Sequence, residues 1–304
     1  MPISVIVGLN FCFVKPHVDD TEYFRMVMLG EWYIGVVIPA RNEEMHLPRV
    51  LEKIPQFVDT VVVVDDGSTD NTSKLVGNNE LVQLSGEGVG AAIDAGHQRL
   101  LELFDDKFVS VVIAGDGQMD CSEMEKVILP ILEKKAHHVK GERKDRRSKM
   151  PLIRQIGTGF LGILTTLACG QRIADPQCGY TATSSEVLKE WDWTNSWKGY
   201  GYPNWWLMNL AKDGWTIAHV DVSAIYEGQK SGIKITSFLP KVSIMLFLGL
   251  HKRIISNTIQ KPSIPILSIW LSYLLSWIYN PLFFIITHFI DRIHVQSILR
   301  GLDD

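Results

Sequence analysis

Cysteine is scarce and scattered. The four cysteines, Cys12, Cys121, Cys169 and Cys178, contain no C-x-x-C pair. That spacing argues against a disulfide framework or a zinc site and fits a reducing compartment. A general basic excess is also missing: the formal net charge is −4, so nucleic acid is not an expected partner. No internal repeat or low-complexity tract is visible. With 46% hydrophobic and 21% charged residues in a chain of 304, wholesale disorder is not expected and one large domain or two small ones can be built. The most local absence is charge in Pro262–Ile290, where 29 residues pass without Asp, Glu, Lys or Arg. A helix needs roughly 20 apolar residues to cross a bilayer, so composition predicts a soluble front part and a membrane-seeking tail. The apolar stretch Ile3–Val14 has no basic residues before it and no small-residue cleavage site, so no secretory signal is expected. Residues 1–30 read as a poorly determined extension, with Met28 as an alternative start.

What is present is strand–helix alternation. Tyr33–Pro39 is a strand stopped by proline, followed by the polar loop Ala40-Arg41-Asn42-Glu43-Glu44 and a helix to about Ile54. Thr60–Val64 is apolar throughout after its first residue, as a parallel strand buried on both faces should be. It ends in Asp65-Asp66-Gly67-Ser68-Thr69-Asp70, rich in turn and cap residues. A short strand is expected at Leu81–Leu84. Gly86-Glu87-Gly88-Val89-Gly90 opens a helix near Ile93–Phe104, and reads either as a loop over a diphosphate or as a plain tight turn. Its GxGxG spacing is not that of a dinucleotide fingerprint. This alternation predicts an α/β fold, with a mostly parallel sheet flanked by helices.

The centre of the pattern is Val111-Val112-Ile113-Ala114-Gly115-Asp116-Gly117-Gln118-Met119-Asp120. Apolar residues run into a turn carrying carboxylates and an amide, where an open α/β sheet binds its ligands. Hard oxygen ligands there suit Mg²⁺ or Mn²⁺, completed by substrate phosphates; a solvated turn is the plainer reading. Further on, the very basic run Arg143–Arg154 reads as a solvated loop or as a clamp on phosphates or anionic lipid headgroups. Gly157–Leu167 is an apolar, Gly-rich helix, and the tryptophans from Trp191 to Trp215 read as core. A last strand is expected at Trp215–Val222. Ser237–Leu250 reads as an interfacial helix, and His251, Lys252, Arg253 and Lys261 place positive charge before the charge-free run, which predicts a cytoplasmic catalytic side. Asn280-Pro281 kinks that run or breaks it into a shallow hairpin.

In order, VVIPARNEE (36–44), VVVVDDGSTDNT (61–72), GEGVGAA (86–92), VVIAGDGQMD (111–120), VKGER (139–143), DPQCGY (175–180) and IYEGQKSGIK (225–234) resemble family 2 glycosyltransferases of the GT-A fold. The branch they are most similar to resembles dolichol-phosphate mannosyltransferase, and the likeness covers about residues 33–235. The resemblance implies a Rossmann-like nucleotide-sugar domain at 31–235, followed by an interfacial, membrane-associated helical tail at 236–304. It implies that Pro39, Arg41 and Glu43 meet the nucleotide and that Asp66 reads base and ribose. Asp116 and Gln118 match ligands of the metal and diphosphate, with Mg²⁺ or Mn²⁺ as cofactor. Arg143 matches an arginine at the donor phosphates and Lys234 a closing basic residue. Two positions depart from the pattern: Ala114 stands first in the usual Asp-x-Asp, and Tyr226 where a phosphate-binding arginine is common. The implied reaction moves a sugar, with inversion, from a nucleotide diphosphate to a membrane polyprenyl phosphate on the cytoplasmic face. The loop Gly199–Asn204 contains no acidic residue, which favours an acceptor that needs no general base. Transfer to a lipid or saccharide hydroxyl is a second reading. A non-catalytic, membrane-tethered nucleotide-sugar binder is a third, prompted by Ala114.

Overall fold

The computed structural model of the protein describes residues 30, 32–144, 152–194, 196–225, 235–260, 262–278 and 283–300. The first strand, β1 (Tyr33–Ala40), leads through a loop to a short helix, α1 (Leu47–Glu52), with Pro48 in its first turn. β2 (Thr60–Asp66) and β3 (Glu80–Leu84) follow, then α2 (Val89–Leu103), β4 (Phe108–Val112) and α3 (Met124–Leu132). Next come β5 (His138–Arg143), α4 (Leu152–Cys169), β6 (Thr181–Ser184), α5 (Ser185–Glu190), α6 (Tyr202–Lys212) and β7 (Ile217–Val222). Three helices close the described chain: α7 (Ile235–Gln260), α8 (Ile264–Ile278) and α9 (Phe283–Ile298).

Among the described residues the strands form one sheet of seven in the order β3-β2-β1-β4-β6-β5-β7. All neighbours run parallel except β6, which lies antiparallel between β4 and β5. The expected mostly parallel sheet is therefore present. β6 escapes a sequence reading because Thr-Ala-Thr-Ser is neither apolar nor alternating in a telling way. Because the side chains of a strand alternate between faces, β1 and β2 feed two cores. Val36, Ile38, Val61 and Val63 pack with Met124, Val127 and Ile128 of α3 on one face. Val37, Val62 and Val64 pack with Ala92 and Leu100 of α2 and with Trp206 and Trp215 on the other. Trp206 and Trp215 are buried, as expected of core tryptophans.

The tail corrects the sequence expectation. Among the described residues no helix is long and apolar enough to cross a membrane. The charge-free run is divided between helices of 15 and 16 residues, each short of the roughly 20 needed to span. α7 has 26 residues but carries Lys241, His251, Lys252 and Arg253. The helices instead turn polar groups inward: Ser272 and Thr287 hydrogen-bond between α8 and α9 at 2.7 Å. Arg253 of α7, fully buried, grips Asp291 of α9 with two hydrogen bonds of 2.9 and 2.6 Å and donates to the carbonyls of Leu167 and Ala168 on α4. Met208 and Leu207 of α6 share a third core with Leu161 and Ala168 of α4 and Val242 and Leu246 of α7.

Candidate functional site

The carboxyl ends of β1, β2 and β4 share one edge of the sheet. Beyond the last β1–β4 pair, Ile113 N–H donates to the Val37 carbonyl and Gly115 N–H to that of Pro39, at 3.1 and 3.2 Å. Pro39 thus sets where the central loop leaves the sheet. The two loops beside it are stitched together. Asn42, at φ +57°, accepts from the Thr69 N–H and hydroxyl through Oδ1, while its own N–H donates to Ser68 Oγ. Glu43 N–H donates to Thr72 Oγ1 at 2.8 Å, and the Glu44 carboxylate accepts from the Asn71 backbone and side chain.

Asp66 ends β2 with a buried carboxylate, which accepts from the N–H groups of Glu87 and Gly88 at 2.6 and 2.8 Å. It fastens the glycine loop to the edge of the sheet. Gly88 has φ +105°, and a Cβ there would fall 2.4 Å from the Lys198 carbonyl oxygen. A Cβ on Gly90 would fall 2.0 Å from the Trp197 carbonyl oxygen. Glycine is therefore required so that the loop can lie against residues 197–198, where Gly90 N–H donates to the Lys198 carbonyl at 2.9 Å. Arg41 reaches over this loop: its Nη1 is 4.0 Å from Asp66, and its side chain is 57% exposed. An exposed contact of that length holds little energy, so Arg41 is available to an anionic ligand.

Asp116 lies in the turn after β4, with its Oδ1 accepting from Gln118 N–H at 3.0 Å. Burial raises its affinity for a proton. Glu43, half-buried on the neighbouring loop, is raised too, first by burial and then by the negative charge of Asp116. Two carboxylates crowding charge into a partly dry edge form a place that a cation would relieve. Among the described residues no group of three or more His, Cys, Asp or Glu could hold a metal ion. A cation at Asp116 would therefore take most of its oxygen shell from bound phosphates and water, as Mg²⁺ does. The residues present fit a divalent ion on those terms.

Arg143 ends β5, two strands from β4 and on the same edge, about 10 Å across the sheet at the usual strand spacing. Its guanidinium is bound bidentately by Asp175, Nε to Oδ2 at 2.7 Å and Nη2 to Oδ1 at 3.0 Å. Beneath that loop the buried Lys140 ammonium donates to the Cys178 carbonyl, and burial pushes its pKa down to about 8. Lys234 and most of the basic run lie outside the described residues. Ile225, the last residue described before 235, donates its N–H to the Gln118 carbonyl at 3.0 Å.

Sequence reading thus located Pro39, Arg41, Glu43, Asp66, Asp116 and Gln118 on neighbouring loops of one edge, with Arg143 farther along it. It missed Asp175 as the partner of Arg143 and the carbonyls of Trp197 and Lys198 as the seat of the glycine loop. Both are long-range pairings. The DPQCGY motif was the available signal for the first; nothing in the sequence marks the second.

A mostly parallel sheet with acidic loops at its carboxyl edge defines an α/β protein that binds ligands at that edge. Residues 35–191 match the sequence family described as glycosyl transferase family 2, over half of the chain. The protein belongs to that family and is a glycosyltransferase. Among similar proteins, an uncharacterized protein of Methanocaldococcus jannaschii is 34% identical over 208 residues, covering 64% of this chain and 88% of the relative. The UDP-N-acetylglucosamine–dolichyl-phosphate N-acetylglucosaminyltransferase of Methanococcus voltae is 30% identical, covering 53% of this chain and 73% of that one. In structure, the chain is similar to glucosyl-3-phosphoglycerate synthase of Mycobacterium tuberculosis in complex with Mn²⁺ and UDP-glucose. The TM-score is 0.54 at 22% identity, covering 77% of this chain and 82% of that one. That likeness establishes the GT-A type of fold. The same synthase has been solved with Mg²⁺ and UDP and with phosphoglyceric acid.

These findings correct the expected acceptor, partner and location. The solved enzymes alike in fold carry phosphoglyceric acid beside UDP, not a polyprenyl phosphate, and no described helix is built to span a bilayer. The polyprenyl-phosphate acceptor, the membrane as partner and the membrane-associated, cytoplasm-facing placement are withdrawn. The helices of the charge-free run pack on each other through inward-facing polar groups and leave large apolar side chains such as Ile264, Leu271 and Phe289 exposed; what they lack is the length to cross a bilayer.

Proposed function

We propose that the protein transfers a sugar from a uridine diphosphate sugar to a hydroxyl group of a lipid or saccharide acceptor. The observation that carries this reading is the juxtaposition of Glu43 and Asp116 on the loop edge that Asp66 and the glycine loop also line. Uridine as the nucleoside is supported by the names of a relative and of solved structures with this fold. In this assignment Pro39, Arg41 and Asp66 seat the nucleotide, and Asp116 and Gln118 face its two phosphates. Arg143, oriented by Asp175, and Lys234 complete the positive side of the diphosphate. A Mg²⁺ or Mn²⁺ ion held by Asp116 and Gln118 would supply positive charge to the departing diphosphate. Arg143 contributes to the same stabilisation as a fixed, bidentately held cation. A hydroxyl acceptor must lose its proton to a positioned base. Asp175 is engaged by Arg143, and Asp192 is exposed and held by Thr194. Glu43 is the carboxylate at this edge to which the role is assigned.

The test is to incubate the protein with radiolabelled UDP-sugars, Mn²⁺ and panels of hydroxylated lipid and saccharide acceptors. The expected product is a glycoside stable to mild acid. A product cleaved by mild acid, as a sugar phosphodiester is, would overturn the hydroxyl acceptor. Failure of every UDP-sugar to raise the melting temperature would overturn the donor; saturation at ~100 times the dissociation constant should add about 2.7 kcal/mol.

A further inference from the structure

Between α6 and α7 lies a groove of about 330 Å³, within the size range of small-molecule sites. Its floor and walls are Trp197, Trp205, Met208, Met245, Ile244 and Leu248. Ile244 and Leu248 are each 60% exposed, so large apolar side chains are left facing water in a concave place rather than singly on a convex one. Among the described residues the only charged side chains lining it are three lysines, Lys212, Lys241 and Lys252. On α7, residues 241, 245, 248 and 252 fall on one stripe of the helix, so Lys241 and Lys252 stand at the two ends of the apolar wall.

The two ends differ in charge. Lys212 pairs with Asp213 at 3.1 Å, and the charges of Lys212 and Lys252 both act on Asp192. That end is balanced. At the other end Lys241 has no carboxylate within ion-pair distance among the described residues. A Cβ placed on Gly201 would meet both the Trp197 indole and Val242, which puts the Trp197 ring at the Lys241 end. We infer that this groove binds a single-chain amphiphile with a carboxylate head, a medium-chain fatty-acid anion, with the head on Lys241 beside Trp197 and the chain along Met208, Met245 and Leu248.

Such a ligand is an effector and not the acceptor. Trp197 lines the groove with its ring, while its carbonyl and that of Lys198 form the seat of Gly90. The glycine loop seated there is the one fastened by Asp66. Filling the groove fixes Trp197 and with it the seat of the loop, so amphiphile and nucleotide strengthen each other's binding, by the same factor in both directions.

The experiment titrates the full chain with decanoate and dodecanoate, each below its micelle concentration, following tryptophan emission. Acetate and dodecanol serve as controls. Saturable binding is expected, strengthening about two- to four-fold per methylene, with dodecanol at least ten-fold weaker and acetate silent. Lys241→Glu should weaken dodecanoate at least ten-fold while Lys252→Glu changes it less than three-fold; both positions are exposed, and unchanged melting curves verify the fold. Equal binding of dodecanol, or equal loss in the two lysine variants, would overturn the assignment of the head group. No saturable binding by any of the probes would overturn the site. In a second arm, UDP-sugar affinity is measured with and without saturating dodecanoate, and a several-fold tightening is expected. Unchanged affinity would overturn the coupling. The emission titration needs no donor, so a failure of the proposed transferase reading leaves the test of the groove standing.

Discussion

Arg143 and Asp175 face each other as fork and carboxylate, 2.7 and 3.0 Å apart, with Asp175 almost wholly buried. The pair fixes an arginine at the end of β5 by tying it to the loop that precedes β6. Removing the cation leaves a buried carboxylate without its main partner. Arg143→Met is expected to lower unfolding free energy by about 3 kcal/mol, read from urea denaturation. Arg143→Lys keeps the charge but not the fork, and is expected to recover part of the stability while the KM for UDP-sugar stays raised. A KM equal to that of the wild type in Arg143→Lys would remove the arginine from the donor site.

Asp116→Asn is expected to abolish the Mn²⁺-dependent part of the UDP-induced thermal shift and to lower kcat at least about 100-fold, the scale on which a preorganised electrostatic contact acts. Glu43→Gln should lower kcat by a similar factor, within the range for a general base, with UDP affinity changed little. Isothermal titration with UDP and initial rates on the same samples separate the two outcomes. If Glu43→Gln lost nucleotide affinity and turnover in proportion, Glu43 would be a binding residue and not the base.

Asp94 on α2 is buried beside Ser196 and Tyr202, and burial raises its pKa to about 6. A carboxyl group that holds its proton more tightly folded than unfolded makes the folded state gain protons as pH falls. Its charged form is the costly one, so stability is expected to decline as pH rises from the ordinary carboxylate range through about 6. Asp94→Asn should flatten that slope and, at pH 7, stabilise by up to about 3 kcal/mol. Melting temperatures across pH 4 to 8 for both proteins supply the comparison, and an unchanged slope in the variant would refute the attribution.

Gly90→Ala would drive a methyl group into the Trp197 carbonyl. Backbone cannot yield as a flexible side chain can, so the loop must lift from its seat. The expected result is a loss of about 1–3 kcal/mol in stability, with a larger proportional loss in UDP affinity, because the loop that Asp66 fastens is the part displaced. Gly157→Ala, where nothing lies within 4 Å, is the control and should be neutral or slightly stabilising.

How much of this was legible beforehand follows from the range of each interaction. The four consecutive valines of β2 and the apolar run of β4 announce buried strands locally, and the polar turns after them announce the ligand edge. Asp116 was singled out for that reason, whereas Asp66 and Glu43 were singled out by the family likeness of their motifs. β6 was not, because its strand character comes from being clamped between β4 and β5 rather than from its own residues. The first helix, expected to run to about Ile54 after the polar loop 40–44, covers Leu47–Glu52. In the tail, the break of the apolar run into helices of 15 and 16 residues was not legible in its hydropathy either. Hydropathy registers that Pro262–Ile290 lacks charge, but not that Ser272 finds Thr287 or that Arg253, far upstream, finds Asp291.

The last described residues reach back to the front of the chain. Arg300 lies over the Trp215 ring at 3.8 Å, its Nη1 pairs with Glu190 at 2.7 Å, and its backbone N–H donates to the Gly214 carbonyl at 2.7 Å. With Arg253 anchored on the carbonyls that end α4, the two portions of the polypeptide are laced at two distant points. A chimera that joins this catalytic half to another enzyme's C-terminal helices would inherit an unclothed tryptophan and helix carbonyls shorn of their arginine. Exchange of tails by recombination therefore has to carry matching changes on both sides of the seam.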